Sequence, residues 1–415
     1  MKKSIRAVFV VAALAPATAF ATLGYFAAGY GLKAKGMGGV AIALPQDAMS
    51  GVTNPANLGF VGNRLDVEME WFRPIRDAEV TGANAFTGNW DANGRKDFFI
   101  PGVGYNRMIR PDLALGVMVY GNGGMNTYFN NNPFGAVGGS NPGGVDYMQL
   151  FIAPTVAWKP NENHSIGLSV NYVYHQFGAQ GLEGFLPFST SPANLTNRGR
   201  ANSSGWGFRL GWTGKISENL TLGAMVQPKT NMGKLDRYQG LFRNQGDLDI
   251  PATYGVGIAV KATPKLTIAA DIQQIDYSKV AAIGTPSACL FAFTCALGAS
   301  NGPGFGWHNM TTFKLGASYE ISRSLSVRAG YATGKQPIPG NETLLNIIFP
   351  AVVQDHVTLG ATWTVGAMYF TAGYMHAFKK KVNCAGSIPG IFGPSGEANL
   401  KMYQDSLGVA LGWKM

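Results

Sequence analysis

Along most of the chain apolar and polar residues alternate one by one, the period-two pattern of a strand with a single apolar face. Leu65, Val67, Met69 and Trp71 interleave with Asp66, Glu68 and Glu70. The period returns at Leu113/Leu115/Val117/Val119, Ile166/Leu168/Val170/Tyr172, Trp206/Phe208/Leu210/Trp212 and Leu220/Leu222/Ala224/Val226. It continues at Tyr254/Val256/Ile258/Val260, Leu266/Ile268/Ala270/Ile272 and Phe313/Leu315/Ala317/Tyr319. Leu325/Val327/Ala329/Tyr331, Val357/Leu359/Ala361/Trp363 and Leu407/Val409/Leu411/Trp413 complete the clear set. Weaker strands fit the gaps at 98–107, 147–158 and 368–377. The total is about fourteen, an even number, as closed bacterial barrels require.

The connectors fall into two classes that alternate strictly. "MIRPD", "KPNENH", "KISEN", "KATPK", "EISRS" and "TVGA" are tight turns. Between them run long segments, at 74–97, 121–146, 175–204, 228–253, 274–309, 334–354 and 378–404. Short turns on one side and long loops on the other are the asymmetry of an outer-membrane barrel. In such a barrel the apolar set must face lipid, because hydrocarbon cannot solvate charge and closure leaves no open edge. Trp71, Trp158, Tyr172, Trp206, Trp212, Tyr331, Trp363 and Trp413 fall near strand ends, where aromatic girdles form. The lumen is then lined by small and polar residues, among them Ser169, Asn171, Gly223, Gly255, Gly257, Thr358 and Gly360.

Composition agrees and excludes other classes. Only 13% of residues are charged, about half of what soluble domains carry, while 46% are hydrophobic. Beyond the N-terminus no apolar run is long enough for a spanning helix. The net charge of +10 is spread thinly apart from Lys379-Lys380-Lys381, which gives no support to nucleic-acid binding. The five histidines and three cysteines show no ligand spacing, so neither a metal nor a cofactor is expected. Cys289 and Cys295 are the natural disulfide pair in an exported chain, with three free thiols as the alternative.

The N-terminus supplies the address. Lys2, Lys3 and Arg6 precede an apolar stretch and an Ala19-Phe20-Ala21 cleavage site, so residues 1–21 read as a secretory signal peptide. Residues 22–63 lack strand alternation and are Gly-rich and apolar; Asn54 before Pro55 is a good helix start. This segment is expected to be a hatch of short helices plugging the lumen of a barrel that spans 64–415.

At this point the chain resembles the FadL/TodX outer-membrane transporters of hydrophobic compounds. The resemblance rests on Gly31-Leu32, the run Gly39-Val40-Ala41-Ile42-Ala43, Asp47-Ala48 and Asn54-Pro55-Ala56, in that order after a leader and before the strands. The ending departs from it, since Trp413-Lys414-Met415 lacks the usual terminal aromatic residue. The resemblance implies a transport protein of the bacterial outer membrane, not an enzyme. It would carry long-chain fatty acids above all, or aromatic hydrocarbons. In that family ligand lands on apolar outer loops, passes to a pocket beside the N-terminus and leaves sideways past a kinked third strand. The implied partners are a hydrophobic small molecule and the surrounding lipid and lipopolysaccharide, and the protein is expected to act as a monomer.

On this reading Leu23, Tyr25 and Phe26 reach an apolar pocket, and Gly121, Gly123 and Gly124, after the third strand, permit a kink or bulge. The loop segments 182–188, 289–293 and 344–350 are apolar enough to form a landing groove, or to pack on one another. By parity Arg209, Lys314 and Arg328 point inward. Each either anchors a ligand carboxylate or pairs with Asp66, Glu68, Glu70 or Asp271. Two rival functions fit less well. A general diffusion porin needs an open polar lumen, and an outer-membrane phospholipase needs a Ser/His pair facing lipid.

Overall fold

A computed structural model describes residues 22–415; the expected signal peptide lies outside the described residues. Fourteen strands close into one antiparallel barrel, as the alternation predicts. They are β1 (Arg64–Thr81), β2 (Phe98–Arg110), β3 (Leu113–Asn126), β4 (Gly144–Trp158), β5 (His164–Gln180), β6 (Ala201–Lys215) and β7 (Leu220–Gln227). The others are β8 (Thr253–Lys261), β9 (Leu266–Ile275), β10 (Met310–Ser322), β11 (Leu325–Gly334), β12 (His356–Val365), β13 (Met368–Val382) and β14 (Glu397–Lys414). Each pairs with its sequence neighbour, and β14 returns to β1 in register from Lys414↔Arg64 to Glu397↔Thr81. Closure leaves no unpaired sheet edge for lipid to meet. Among the described residues no helix is long and apolar enough to cross a membrane.

The strands run further outward than the alternation suggests. β1 continues to Thr81, β5 to Gln180 and β13 to Val382, while β14 already starts at Glu397. All these ends lie in stretches expected to be loop. The reason is an inversion of parity. In the lipid-facing band the exposed set is apolar, as with Val67, Leu168, Val170, Val409 and Leu411. Nearer the long loops the buried, inward set becomes apolar instead: Phe72, Ala78 and Val80 on β1, Val173, Phe177 and Ala179 on β5, Ala398, Leu400 and Met402 on β14. There the outer wall meets water and the lumen is dry, so burial favours apolar side chains inside. The barrel is therefore polar within at one end and greasy within at the other.

The hatch fills the polar end. It contains α1 (Leu32–Lys35), α2 (Ser50–Thr53), a 3₁₀ turn at Pro55–Asn57 and α3 (Leu58–Val61). Small inward residues of the wall are the floor it rests on. A Cβ on Gly316 would meet the Met37 carbonyl, one on Gly330 the Gly38 amide, and one on Gly223 the Ile42 carbonyl. Wall carboxylates then take up hatch amides that no helix satisfies. Asp271 accepts from Ala41 and Ile42 at 2.8 and 3.0 Å, Asp66 from Ala48 at 2.8 Å, and Glu68 from Leu32 at 3.0 Å. Glu70 is paired with Lys35, and Asp66 also holds Arg64 at 2.8 Å.

Candidate functional site

Within the hatch, the residues of the expected motif are all buried and all structural. Asp47 accepts the Ser50 amide at 3.1 Å, at the start of α2. Asn54 is fully buried. It caps the next turn by accepting from Ala56 at 3.1 Å, and it donates to the Ile42 carbonyl at 2.7 Å and the Trp212 carbonyl at 2.9 Å. One side chain thus joins two hatch segments to strand β6. Pro55 and Ala56 lie against Gly167 of β5, where a Cβ would strike both.

Ahead of the hatch, Thr22–Leu23 and Phe26–Ala27 form a two-rung hairpin that reaches up into the greasy half. Leu23, Tyr25 and Phe26 are all buried. The Tyr25 ring lies 4.9 Å from Tyr277, 5.7 Å from Trp307, 5.8 Å from Tyr147 and 6.0 Å from Phe349, an aromatic cage closed by the chain's own N-terminal segment. Tyr277 fixes the segment by donating to the Leu23 carbonyl at 2.7 Å while accepting from the Tyr25 amide at 3.1 Å. Burial raises both phenols well above their ordinary range, so they remain neutral.

The same segment touches β3 where that strand is irregular. Gly121 and Gly123 oppose successive residues of β4, Leu150 and Gln149, so Asn122 is the extra residue of a bulge. Phe26 pairs with Gly123, and the Gly124 amide donates to the Tyr25 carbonyl at 2.9 Å. Asn122 is fully buried, donates to Gln149 at 2.8 Å and accepts from the Tyr30 hydroxyl at 2.7 Å. Gln149 in turn donates to Tyr147 at 2.8 Å, and Tyr147 faces His175 at 3.4 Å. His175 meets the Ser203 hydroxyl at 2.6 Å. This Ser–His contact looks inward, and the far nitrogen faces a phenol instead of a carboxylate. It is a link in a hydrogen-bonded chain running from the hatch to the outer half.

Above the cage the three apolar loop segments meet. Leu182 and Phe185, Leu290, and Leu345 and Ile348 share one pocket with Phe134, Phe177, Phe242 and Phe305. Its walls close to about 50 Å³ of free space. Phe305 stacks on Phe349 at 5.0 Å, and Phe349 belongs to the cage, which makes the apolar surface continuous from loop pocket to N-terminal segment. Cys289 and Cys295 are bonded to each other beside Leu290, and Cys384 is free. Peptide mapping of unreduced protein is expected to recover 289 and 295 in linked peptides and 384 alkylated; an alkylated Cys289 would refute the staple.

The three inward cations have different surroundings, and among the described residues none has a carboxylate within ion-pair distance. Lys314 donates to Gln273 at 3.2 Å and lies opposite Asp271, whose Oδ2 is committed to the hatch. Arg328 donates to Thr362 at 2.7 Å. Arg209, 3% exposed, donates to Gln227 at 2.6 Å and faces Tyr120 and Tyr30 next to the bulge. Around it Tyr120 Oη, Asn171 Oδ1, Arg209 Nε and Gln227 Nε2 are buried without partners. Three of these are donors, Tyr120 Oη, Gln227 Nε2 and the guanidinium's own Nε, a socket suited to the acceptor atoms of an anion, whereas Asn171 Oδ1 is itself an acceptor.

Sequence reasoning located the N-terminal segment, the glycines of the bulge and the cations, but missed Asn122, Tyr30 and the cage residues Tyr147, Tyr277, Trp307 and Phe349. The readable signal for Tyr147 was the parity inversion at strand ends; nothing local marks Asn122 or the loop residues Tyr277, Trp307 and Phe349.

A family model described as outer membrane protein transport protein (OMPP1/FadL/TodX) matches residues 8–390. Among solved structures, a FadL homologue of Pseudomonas aeruginosa superposes with a TM-score of 0.71 at 15% identity, covering 94% of this chain and 100% of that one. The toluene transporter TodX of P. putida gives 0.69 at 17% identity, with 94% and 99% covered. The toluene transporter TbuX of Ralstonia pickettii gives 0.64 at 17%, with 94% and 99% covered. At these identities the likeness is one of fold. No curated protein sequence matches the chain.

Proposed function

The chain belongs to the OMPP1/FadL/TodX family of outer-membrane transport proteins for hydrophobic compounds, and from that premise we propose that its cargo is amphipathic: a long hydrocarbon chain ending in a carboxylate, as in long-chain fatty acids. The observation that carries this reading is the Arg209 socket. A buried cation with no acid beside it is costly to keep, and a ligand carboxylate would satisfy it together with the unpartnered donors of Tyr120 and Gln227.

The route follows the apolar surface. Cargo would enter the loop pocket at 182–188, 289–293 and 344–350, where each buried CH₂ is worth about 0.8 kcal/mol. It would then pass Phe305 and Phe349 to the Tyr25 cage and displace the N-terminal segment. The carboxylate would dock at Arg209, close to the Asn122 bulge, where the irregular ladder is the natural place for a sideways exit into lipid. An exit of that kind spares the chain any passage through water. Leu23, Tyr25 and Phe26 would act as the gate, and Lys314 and Arg328 as weaker anchors deeper in the wall. A filled lumen argues against a general diffusion porin, and one chain closes the whole barrel, so a monomer suffices.

Aromatic hydrocarbons are the second reading, favoured by the aromatic cage itself and by the toluene transporters among the similar folds. Arg209→Ala separates the two. Fatty-acid uptake is expected to fall by roughly tenfold or more, the worth of a charge-assisted hydrogen bond, with toluene uptake nearly unchanged. Unchanged fatty-acid uptake, with toluene uptake still requiring the protein, would make hydrocarbons the cargo.

A further inference from the structure

At the outer rim of the barrel, above its lipid-facing band, lies a polar pocket that the transport route does not use, lined by outward residues such as Asp146 and Gln180 together with inward ones such as Val145 and Ala179. The upper edge of the band is marked by Tyr172 on β5 and Trp206 on β6, whose rings are 5.1 Å apart with Trp206 67% exposed. Past Tyr174 on β5 and Met148 on β4 the outward positions turn polar: Gln176 and Gln180 on β5, Asp146 on β4, Asn202 on β6 and Arg200 just before it. Here a pocket of about 450 Å³ opens, with Gly144, Gly178 and Gly199 among its lining residues.

Its rim is basic. Arg95 lies 4.9 Å over the Tyr128 ring, and both line the pocket. Arg200 reaches Asp146 at 2.8 Å across it. Arg237 donates to the carbonyls of Arg198 and Arg200 at 3.3 and 3.4 Å, which brings one further exposed guanidinium to the edge. Asp146 is the only carboxylate among the lining residues. Such an excess of arginine facing sideways, just above the aromatic girdle, meets the headgroup layer of the membrane and not bulk water.

We propose that this pocket binds a phosphate of the lipopolysaccharide headgroup, with the acyl chains descending over Tyr172, Trp206 and the apolar wall below. The assignment rests on the outer-membrane reading. Arginine is suited to it because its planar fork grips phosphate through two parallel bonds. The free space accommodates a phosphate with its sugar ring, and Tyr128 holds Arg95 in place when the pocket is empty. Asn126 and Thr127, which also line the pocket, directly follow the bulged part of β3, so a bound glycolipid would stand beside the sideways exit.

The test uses the full-length protein in detergent and measures binding of diphosphoryl lipid A, apart from any uptake assay. Arg95→Ala/Arg200→Ala is expected to weaken binding by about tenfold or more, and Arg95→Lys by less. Asp146→Asn should tighten it. Lys261→Ala/Lys265→Ala, at a short turn on the opposite side, should change nothing. Heat-modified gel migration verifies that each variant is folded. Monophosphoryl lipid A is expected to bind more weakly than the diphosphoryl form. Equal binding by wild type and the double arginine variant would overturn the proposal. So would inorganic phosphate competing as well as lipid A, which would make the pocket a simple anion site. Either failure leaves uptake, and hence the transport reading, standing.

Discussion

Asn54→Ala is expected to unplug the barrel without unfolding it. The side chain is fully buried and serves as donor to Ile42 of the hatch and to Trp212 and Thr213 of β6, while its oxygen caps the turn at Ala56. Alanine removes these bonds in a place water does not reach, at about 1–3 kcal/mol for each group left unpaired, Thr213 alone keeping a second partner in Asn57. The fourteen-strand ladder does not depend on them, so the loss falls on hatch docking. In planar bilayers the wild type should show little conductance and the variant frequent openings. Cells carrying the variant should admit bulky polar antibiotics. Asn54→Asp keeps the capping oxygen but loses the donors, and should behave like alanine. Wild-type conductance from a folded Asn54→Ala protein would remove the motif from any gating role.

Gly123→Leu is expected to abolish most uptake while leaving the hatch seated. At Gly123 the N-terminal segment lies so close that a Cβ would overlap the Tyr25 carbonyl. Phe26 pairs with this residue, and the next amide binds Tyr25. A leucine side chain therefore expels the segment from the bulge, and with it the Tyr25 ring from a cage whose contacts to Tyr277, Trp307, Tyr147 and Phe349 all depend on that placement. Overpacking at such a contact costs about 1–3 kcal/mol and acts on a segment of only a few residues. Uptake should fall roughly tenfold or more for fatty acid and toluene alike, because the gate serves both. Conductance should stay low, which separates this lesion from that of Asn54. Normal uptake by the variant would mean that the N-terminal segment merely packs against the wall.

The strand count, the lipid-facing set and the division into short turns and long loops follow from period two alone. That pattern is local: a strand has two faces, and one of them must match hydrocarbon. Residues 22–63 stand apart from the strands for a related reason, since a Gly-rich apolar stretch without alternation does not read as wall. Strand ends were misread where the outside changed from lipid to water and the same period changed its meaning, as at Phe72–Thr81 and Glu397–Met402. What folding alone decides is which distant residues share a dry space. No spacing in the chain relates Tyr25 to Tyr277 and Phe349, or tells that Asp271 is spent on hatch amides while Arg209 is left with none but amide and phenol neighbours. Those facts arise from closing the barrel around residues 22–63, because the partner of a buried charge or ring is set by enclosure and not by sequence separation.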